Sequence, residues 1–238
     1  MIKIGLVGGI SWSSTIDYYR YINEESNKLL GGLNFAECIL YSVNFNDFRT
    51  YNAAHDWENT FRLLSAAAIR LKNAGAGLIM LGANTAHIVA EQVQQKTGLP
   101  LIDIRTATAN AVTQKNIKKV ALLGTVYTME LSFYKDELTR HGIEVLIPCD
   151  AADRQFMENS LLYELGKGII KPETKTRYIQ IANSLVQQGA AGIILGCTEI
   201  PLLLSQDDFN VPVFNTTRIH VQAALEYAVN NLVTNSNS

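Results

Sequence analysis

The chain has 238 residues but only three cysteines, Cys38, Cys149 and Cys197, far apart and with no Cys-x-x-Cys pair. That scarcity argues against a disulfide framework and against a zinc site, and no metal ligand set is expected. A reducing, cytoplasmic setting fits three unpaired thiols. Proline is also scarce, with five residues, and no Pro- or Ser-rich linker divides the chain. Only 18% of residues are charged, the net charge is −2, and Lys and Arg are scattered rather than gathered in a stripe. A nucleic-acid partner is therefore not expected. No apolar run approaches the ~18 residues of a membrane-spanning helix, so no membrane partner is expected either. The opening MIKIGLVGGI is broken by Gly8 and Gly9 and lacks a cleavage-site pattern. It reads as a first strand rather than a signal peptide.

What is present is an ordinary globular composition, 47% apolar, in a chain long enough for a sizeable core. Short apolar runs alternate with helical patterns. Runs at 3–8, 37–43, 77–82 and 99–104 are each followed by an amphipathic stretch, and runs at 118–124, 143–148, 191–196 and 211–215 repeat the plan. A long helical stretch is expected over about 154–189, a last helix near 217–232, and a frayed TNSNS end. Continuous apolar strands between helices imply βαβ units and parallel sheets covered on both faces.

The halves also resemble each other. KIGLVGGISWSSTIDYY aligns without gaps on KVALLGTVYTMELSFYK, pairing Gly8 with Gly124 and Tyr18 with Tyr134. LKNAGAGLIMLGANT aligns on LVQQGAAGIILGCTE, pairing Gly82 with Gly196 and Ala83 with Cys197. Such internal repetition predicts an α/β protein of two pseudo-symmetric lobes, each a parallel sheet flanked by helices. The first lobe is expected over 1–114, completed by a C-terminal helix at 216–238, and the second over 115–215. An active-site cleft is expected between them, with Ala83 and Cys197 on opposite walls. Ligands of open parallel sheets bind beyond the carboxyl ends of the strands, which selects the loops GGISWSS, NFNDFRT, GANTAH, GTVYT and GCTEI.

Each loop has a structural and a functional reading. GGISWSS is a tight strand-to-helix turn, or a cradle in which Ser11, Ser13 and backbone N–H groups hold a small anion. GANTAH offers Asn84 and Thr85 as helix caps, or as part of a carboxylate site that recurs in GCTEI. Cys38 lies in an apolar strand and reads as inert, and Cys149 reads as structural. Cys197 differs because it stands where a strand is expected to hand over to a helix, whose N-terminus lowers a thiol pKa toward neutrality. A thiolate there would serve as nucleophile or proton acceptor. Thr198 and Glu199 suit a cap and a first-turn acid, and Glu199 could also orient a substrate ammonium. Arg49 and Lys167 are solvated surface cations or partners for a distal carboxylate. No histidine is linked to Cys197 by spacing.

Together GGISWSSTIDYYRYIN, NTAH, LLGTVYTM and GCTEIPLL resemble the aspartate/glutamate racemase superfamily over about residues 3–228. The resemblance implies a cofactor-independent amino-acid racemase, working without pyridoxal phosphate or metal, in which the substrate lies between two lobes and Cys197 is one of two acid/base residues. It implies Asn84, Thr85, Thr198 and Thr125 as the grip on the α-carboxylate, Lys167 as a carboxylate contact and Arg49 as the side-chain carboxylate partner. It also implies a homodimer. The departure is at Ala83, where most of the family carries a second cysteine and some close relatives a threonine. Three outcomes stay open: weakened racemisation of aspartate, glutamate or a related amino acid, one-sided isomerase or decarboxylase chemistry through the single Cys, or binding of small carboxylates without turnover.

Overall fold

A computed structural model of the protein describes residues 1–231. The chain divides into two compact units, one built from Met1–Asp103 and the chain from His220 onward, the other from Ile104–Ile219. The first contains β1 (Ile4–Gly8), α1 (Trp12–Leu30), β2 (Cys38–Ser42), α2 (Phe45–Ala53), α3 (Trp57–Asn73) and β3 (Leu78–Leu81). A 3-10 turn (Thr85–Val89) then leads into α4 (Ala90–Thr97) and β4 (Leu101–Ile102). The second contains α5 (Ile104–Gln114), β5 (Lys119–Gly124), α6 (Val126–Glu130), α7 (Ser132–Arg140), β6 (Glu144–Leu146) and α8 (Ala151–Tyr163). It continues with α9 (Pro172–Gln187), β7 (Ile193–Gly196) and β8 (Val213–Asn215), and α10 (Thr216–Asn230) carries the chain back into the first unit.

Both sheets are parallel and share one topology: β2-β1-β3-β4 in the first unit and β6-β5-β7-β8 in the second. All eight strand-like runs of the sequence form strands, and the central ones, IGLVG, LIML and IILG, are buried throughout. Parallel strands need helices on both faces, so their apolar residues run on instead of alternating. In the first unit Ile4, Leu6, Leu78 and Met80 pack against Tyr18 and Ile22 of α1 and Val221, Ala224 and Leu225 of α10. The opposite face sets Val7, Ile79 and Leu81 against Leu64, Ala67, Ala68 and Leu71 of α3. In the second unit Val120, Leu122 and Ile194 meet Ala109, Val112, Tyr134 and Leu138. Ala121, Leu123, Ile193 and Leu195 meet Met157, Tyr178 and Ile181.

Two features depart from the sequence expectation. The sequence expectation puts residues 104–114 in the first lobe, yet α5 belongs to the second unit, because Ala109 and Val112 bury their side chains against Val120, Leu122 and Tyr134. The expected single helix over 154–189 is two helices. The first ends at Tyr163, a 3-10 turn over Leu165–Lys167 follows and is closed by Gly168 in a left-handed conformation at φ +76°, and Pro172 opens the second at a position where its missing N–H costs nothing. The TNSNS end and the last residues of the expected 216–238 helix lie outside the described residues.

The repeat mates Tyr18 and Tyr134 are both fully buried. Tyr18 Oη–H donates to His220 Nδ1 at 2.9 Å, and His220 Nε2–H donates to the Ile102 carbonyl at 2.7 Å. A carbonyl only accepts, so Nε2 carries a proton, and burial keeps the ring neutral, which leaves Nδ1 to accept from Tyr18. Burial, and secondarily the neighbouring His87, push its pKa from 6.5 down to about 3, against opposing pulls from the Ile102 carbonyl and Asp103. The unfolded chain therefore binds the extra proton first. The stability due to neutral His220 is complete above pH 6.5 and is lost as pH falls toward 3, at up to ~1.4 kcal/mol per pH unit. Thermal denaturation across pH 7 to 4 is expected to show this slope, and His220→Gln is expected to flatten it. An unchanged slope in the variant assigns the loss to other groups.

Candidate active site

In the second unit β5 and β7 end side by side, with Gly124 in register with Gly196. A Cβ on Gly124 would stand 3.0 Å from the Gly196 carbonyl, and one on Gly196 would stand 2.9 Å from the Leu123 carbonyl. Only glycine permits this approach, and it brings the loops after both strands together. Thr125 follows the first glycine and Cys197 the second.

Cys197 is half-buried, packed against the apolar cluster that holds Tyr178 and Leu195. Its Sγ–H donates to Glu199 Oε2 at 2.8 Å, and the same oxygen accepts Thr198 Oγ1–H at 3.1 Å. Both partners are buried. The thiol pKa is pushed well above its usual value, first by burial, then by the charge of Glu199 and by the hydrogen bond to it. The Glu199 backbone N–H pulls the other way, and the charge of Glu158 adds to the rise. This reverses the expectation of a lowered pKa. No α-helix starts after Cys197: only a 3-10 turn, Ile200–Leu202, with Pro201 inside it. One short turn carries too little aligned dipole to oppose two carboxylates. At neutral pH the resting group is the thiol, hydrogen-bonded to a carboxylate.

Thr125 is the N-cap of the five-residue α6, and its Oγ1 accepts from Thr128 N–H at 3.2 Å. The adjoining Val126 N–H donates to Glu158 Oε2 at 2.9 Å. Glu158 was not foreseen from sequence. It stands on α8, 32 residues from its partner, and no local pattern announces it. Lys167 ends the turn Leu165–Lys167 and is exposed, its Nζ 5.8 Å from the centre of the Tyr163 ring. Behind it Glu164 accepts from Lys171 Nζ at 2.8 Å and Thr174 Oγ1 at 2.7 Å, which ties down both ends of the turn.

In the first unit Ala83 follows β3 and is buried in the apolar cluster of Val7, Ile10, Ala86 and Val89. Asn84 and Thr85 are buried beside it. Asn84 occupies the cap position of the 3-10 turn, but its side chain makes no capping bond there. Ser11 is buried, its Oγ paired with Ser13 Oγ at 2.8 Å, while Gly9 N–H is taken by Thr15 Oγ1 at 2.9 Å. These groups tie the GGISWSS turn to itself. Arg49 is exposed on α2. The structure thus gathers Cys197, Thr198, Glu199, Thr125 and Glu158 at the strand ends of one unit, and Ala83, Asn84 and Thr85 at those of the other. Among the described residues no cluster of three or more His, Cys, Asp or Glu is arranged to hold a metal ion, and no helix is long and apolar enough to cross a membrane.

The sequence profile of the Asp/Glu/Hydantoin racemase family matches residues 7–224. The chain belongs to that family. A Yersinia pestis protein, provisionally named an Asp/Glu racemase, is 48% identical in its crystal structure, with a TM-score of 0.87 over 96% of this chain and all of that one. The crystal structure of an aspartate racemase homologue from Pyrococcus horikoshii OT3 is 35% identical, with a TM-score of 0.83 over 96% of this chain and 100% of that one. The broad specificity amino-acid racemase RacX of Bacillus subtilis (strain 168) is 24% identical over 217 residues, 90% of this chain and 92% of its own. Two four-stranded parallel sheets flanked by helices are the architecture shared with these family structures.

The thiol geometry predicts a reactivity profile. In a chain carrying Cys149→Ser and Cys38→Ser, alkylation of Cys197 by iodoacetamide is expected to be slow at pH 7.5 and to accelerate only well into the alkaline range. Glu199→Gln removes the charge that raises the pKa and is expected to speed alkylation at pH 7.5. A fast reaction at neutral pH in the chain that keeps only Cys197 would contradict the thiol assignment.

Proposed function

We propose that this protein is a cofactor-independent amino-acid racemase for aspartate, glutamate or a related amino acid, with Cys197 as its acid/base group. The observation that carries the reading is the Cys197–Glu199 contact at the carboxyl end of a parallel strand, in a chain of the Asp/Glu/Hydantoin racemase family. In the forward step the thiol proton moves to Glu199. The thiolate then takes the α-proton of the substrate, leaving the electron pair on Cα and its carboxylate. In the reverse sense the resting thiol delivers its proton to that carbanion. Glu199 and Glu158 make the surroundings of the sulfur negative, which suits a substrate that brings a cationic α-ammonium group. Thr198, Asn84, Thr85 and Thr125 remain the candidates for the α-carboxylate, with Lys167 and Arg49 for a side-chain carboxylate.

Inversion needs an acceptor on one face of Cα and a donor on the other. The reading therefore requires the half-site at position 83 to serve the same substrate as Cys197. Alanine has no proton to give. Loss of one acid/base partner costs ~10²–10⁴ in rate, so weak racemisation, supported by water or a neighbouring hydroxyl, is the expected wild-type behaviour. Ala83 equally favours a second reading, in which Cys197 acts alone in one-sided exchange or decarboxylation.

Incubating single enantiomers of aspartate and glutamate in D₂O separates these readings. Racemisation gives α-deuterium together with the opposite enantiomer, one-sided chemistry gives deuterium with retained configuration, and a carboxylate binder gives neither while still raising Tm. Cys197→Ala is expected to abolish all exchange. Ala83→Cys is expected to raise inversion by ~10²-fold or more. Exchange that survives in Cys197→Ala would remove the thiol from the mechanism.

A further inference from the structure

We infer that His87 is a positioning residue of the first half-site: through its Nδ1–H it holds the peptide joining Ala83 to Asn84. The inference rests on the racemase reading above and adds to it a residue that does not touch the substrate. His87 lies in the 3-10 turn after β3 and is 1% exposed. Its Nδ1 is 2.9 Å from the Ala83 carbonyl oxygen, four residues back. A carbonyl has no proton to offer, so Nδ1 is the donor and His87 carries its proton there. His220 is protonated on the other nitrogen, since its Nε2 faces the Ile102 carbonyl. The two rings meet edge to face, with centroids 5.4 Å apart at 71°. Tyr18 from α1 and Ile102 from β4 fix the second ring, and the second ring backs the first.

The consequence falls on position 83. A peptide unit is planar and trans, so its C=O and N–H point in opposite directions. Holding the Ala83 carbonyl against the buried imidazole aims the Asn84 N–H away from it and sets the direction of the Ala83 Cβ. Rotating that peptide would strand a buried N–H donor without its acceptor. The imidazole thus fixes the aim of the position where the family carries its second acid/base group.

The test uses the full-length chain carrying Ala83→Cys, in which both stations are filled, and compares it with the same chain carrying in addition His87→Leu or His87→Asn. Asparagine can donate from Nδ2 to the same carbonyl, whereas leucine keeps the bulk and loses the donor. In D₂O with single enantiomers of aspartate and glutamate, His87→Leu is expected to slow inversion roughly tenfold or more. Deuterium uptake with retained configuration, which Cys197 performs alone, is expected to be unchanged, and His87→Asn to recover most of the inversion. Loss of both activities in step, or of neither, overturns the inference. Should the Ala83→Cys parent exchange nothing, the racemase reading is what fails, and the positioning claim is decided by NMR on the wild-type chain. The ¹⁵N shifts of the rings are expected to report Nδ1–H for His87 and Nε2–H for His220. The Asn84 amide resonance is expected to move in His87→Leu and return in His87→Asn. An Nε2–H tautomer at His87, or an Asn84 amide indifferent to the substitutions, overturns it.

Discussion

Parallel strands cannot be left open on a face, because their slanted ladder hydrogen bonds and continuous apolar side chains need cover on both sides. Everything functional in this chain follows from that constraint. Once α1 and α10 cover one face of the first sheet and α3 the other, and α5, α7, α8 and α9 do the same for the second, the loops beyond the strand ends are where the candidate site residues gather. Ser11, Ala83, Asn84, Thr85, Thr125, Cys197, Thr198 and Glu199 all lie just beyond the carboxyl ends of β1, β3, β5 or β7. The glycines that close β5 and β7 let the loops after those two strands approach each other closely, and a carboxylate on α8 reaches the amide beside Thr125.

The chemistry of the sulfur is set by what stands next to it rather than by its place in the chain. A thiol that donates to a buried carboxylate is stabilised in its protonated form, by desolvation and by like charge together. In the proposed reaction such a group is a proton donor at rest and becomes a base only when its own proton has somewhere to go, and Glu199, which accepts that hydrogen bond, is the group proposed to take it.

The two units repeat a topology without repeating their polar interiors. Tyr18 and Tyr134 occupy equivalent buried positions, yet the first bonds to His220 and the second reaches Thr108 Oγ1 at 3.4 Å. The first unit needs α10 to complete its sheet face, and that helix brings His220 into contact with His87. The second has no counterpart to this pair. Its strand-end cysteine is backed by acid side chains instead. Duplicated backbones thus carry two different devices at the same structural address: a buried imidazole behind position 83, and a carboxylate beside position 197.

The amino-acid sequence by itself determined the strands, the parallel sheets, the doubled plan and the loops that matter. Those properties are local: an apolar run of a given length and a glycine at its end act within a few residues. It also placed Cys197, Thr198 and Glu199 together, because they are neighbours in the chain. Tertiary structure alone decided that α5 packs with the second sheet and that no helix dipole reaches the thiol. It alone brought Glu158 to Val126, and His220 to His87 across more than half the chain. A pKa or a hydrogen bond depends on charges and donors within a few ångströms, and which residues come that close is settled by packing, not by position along the chain.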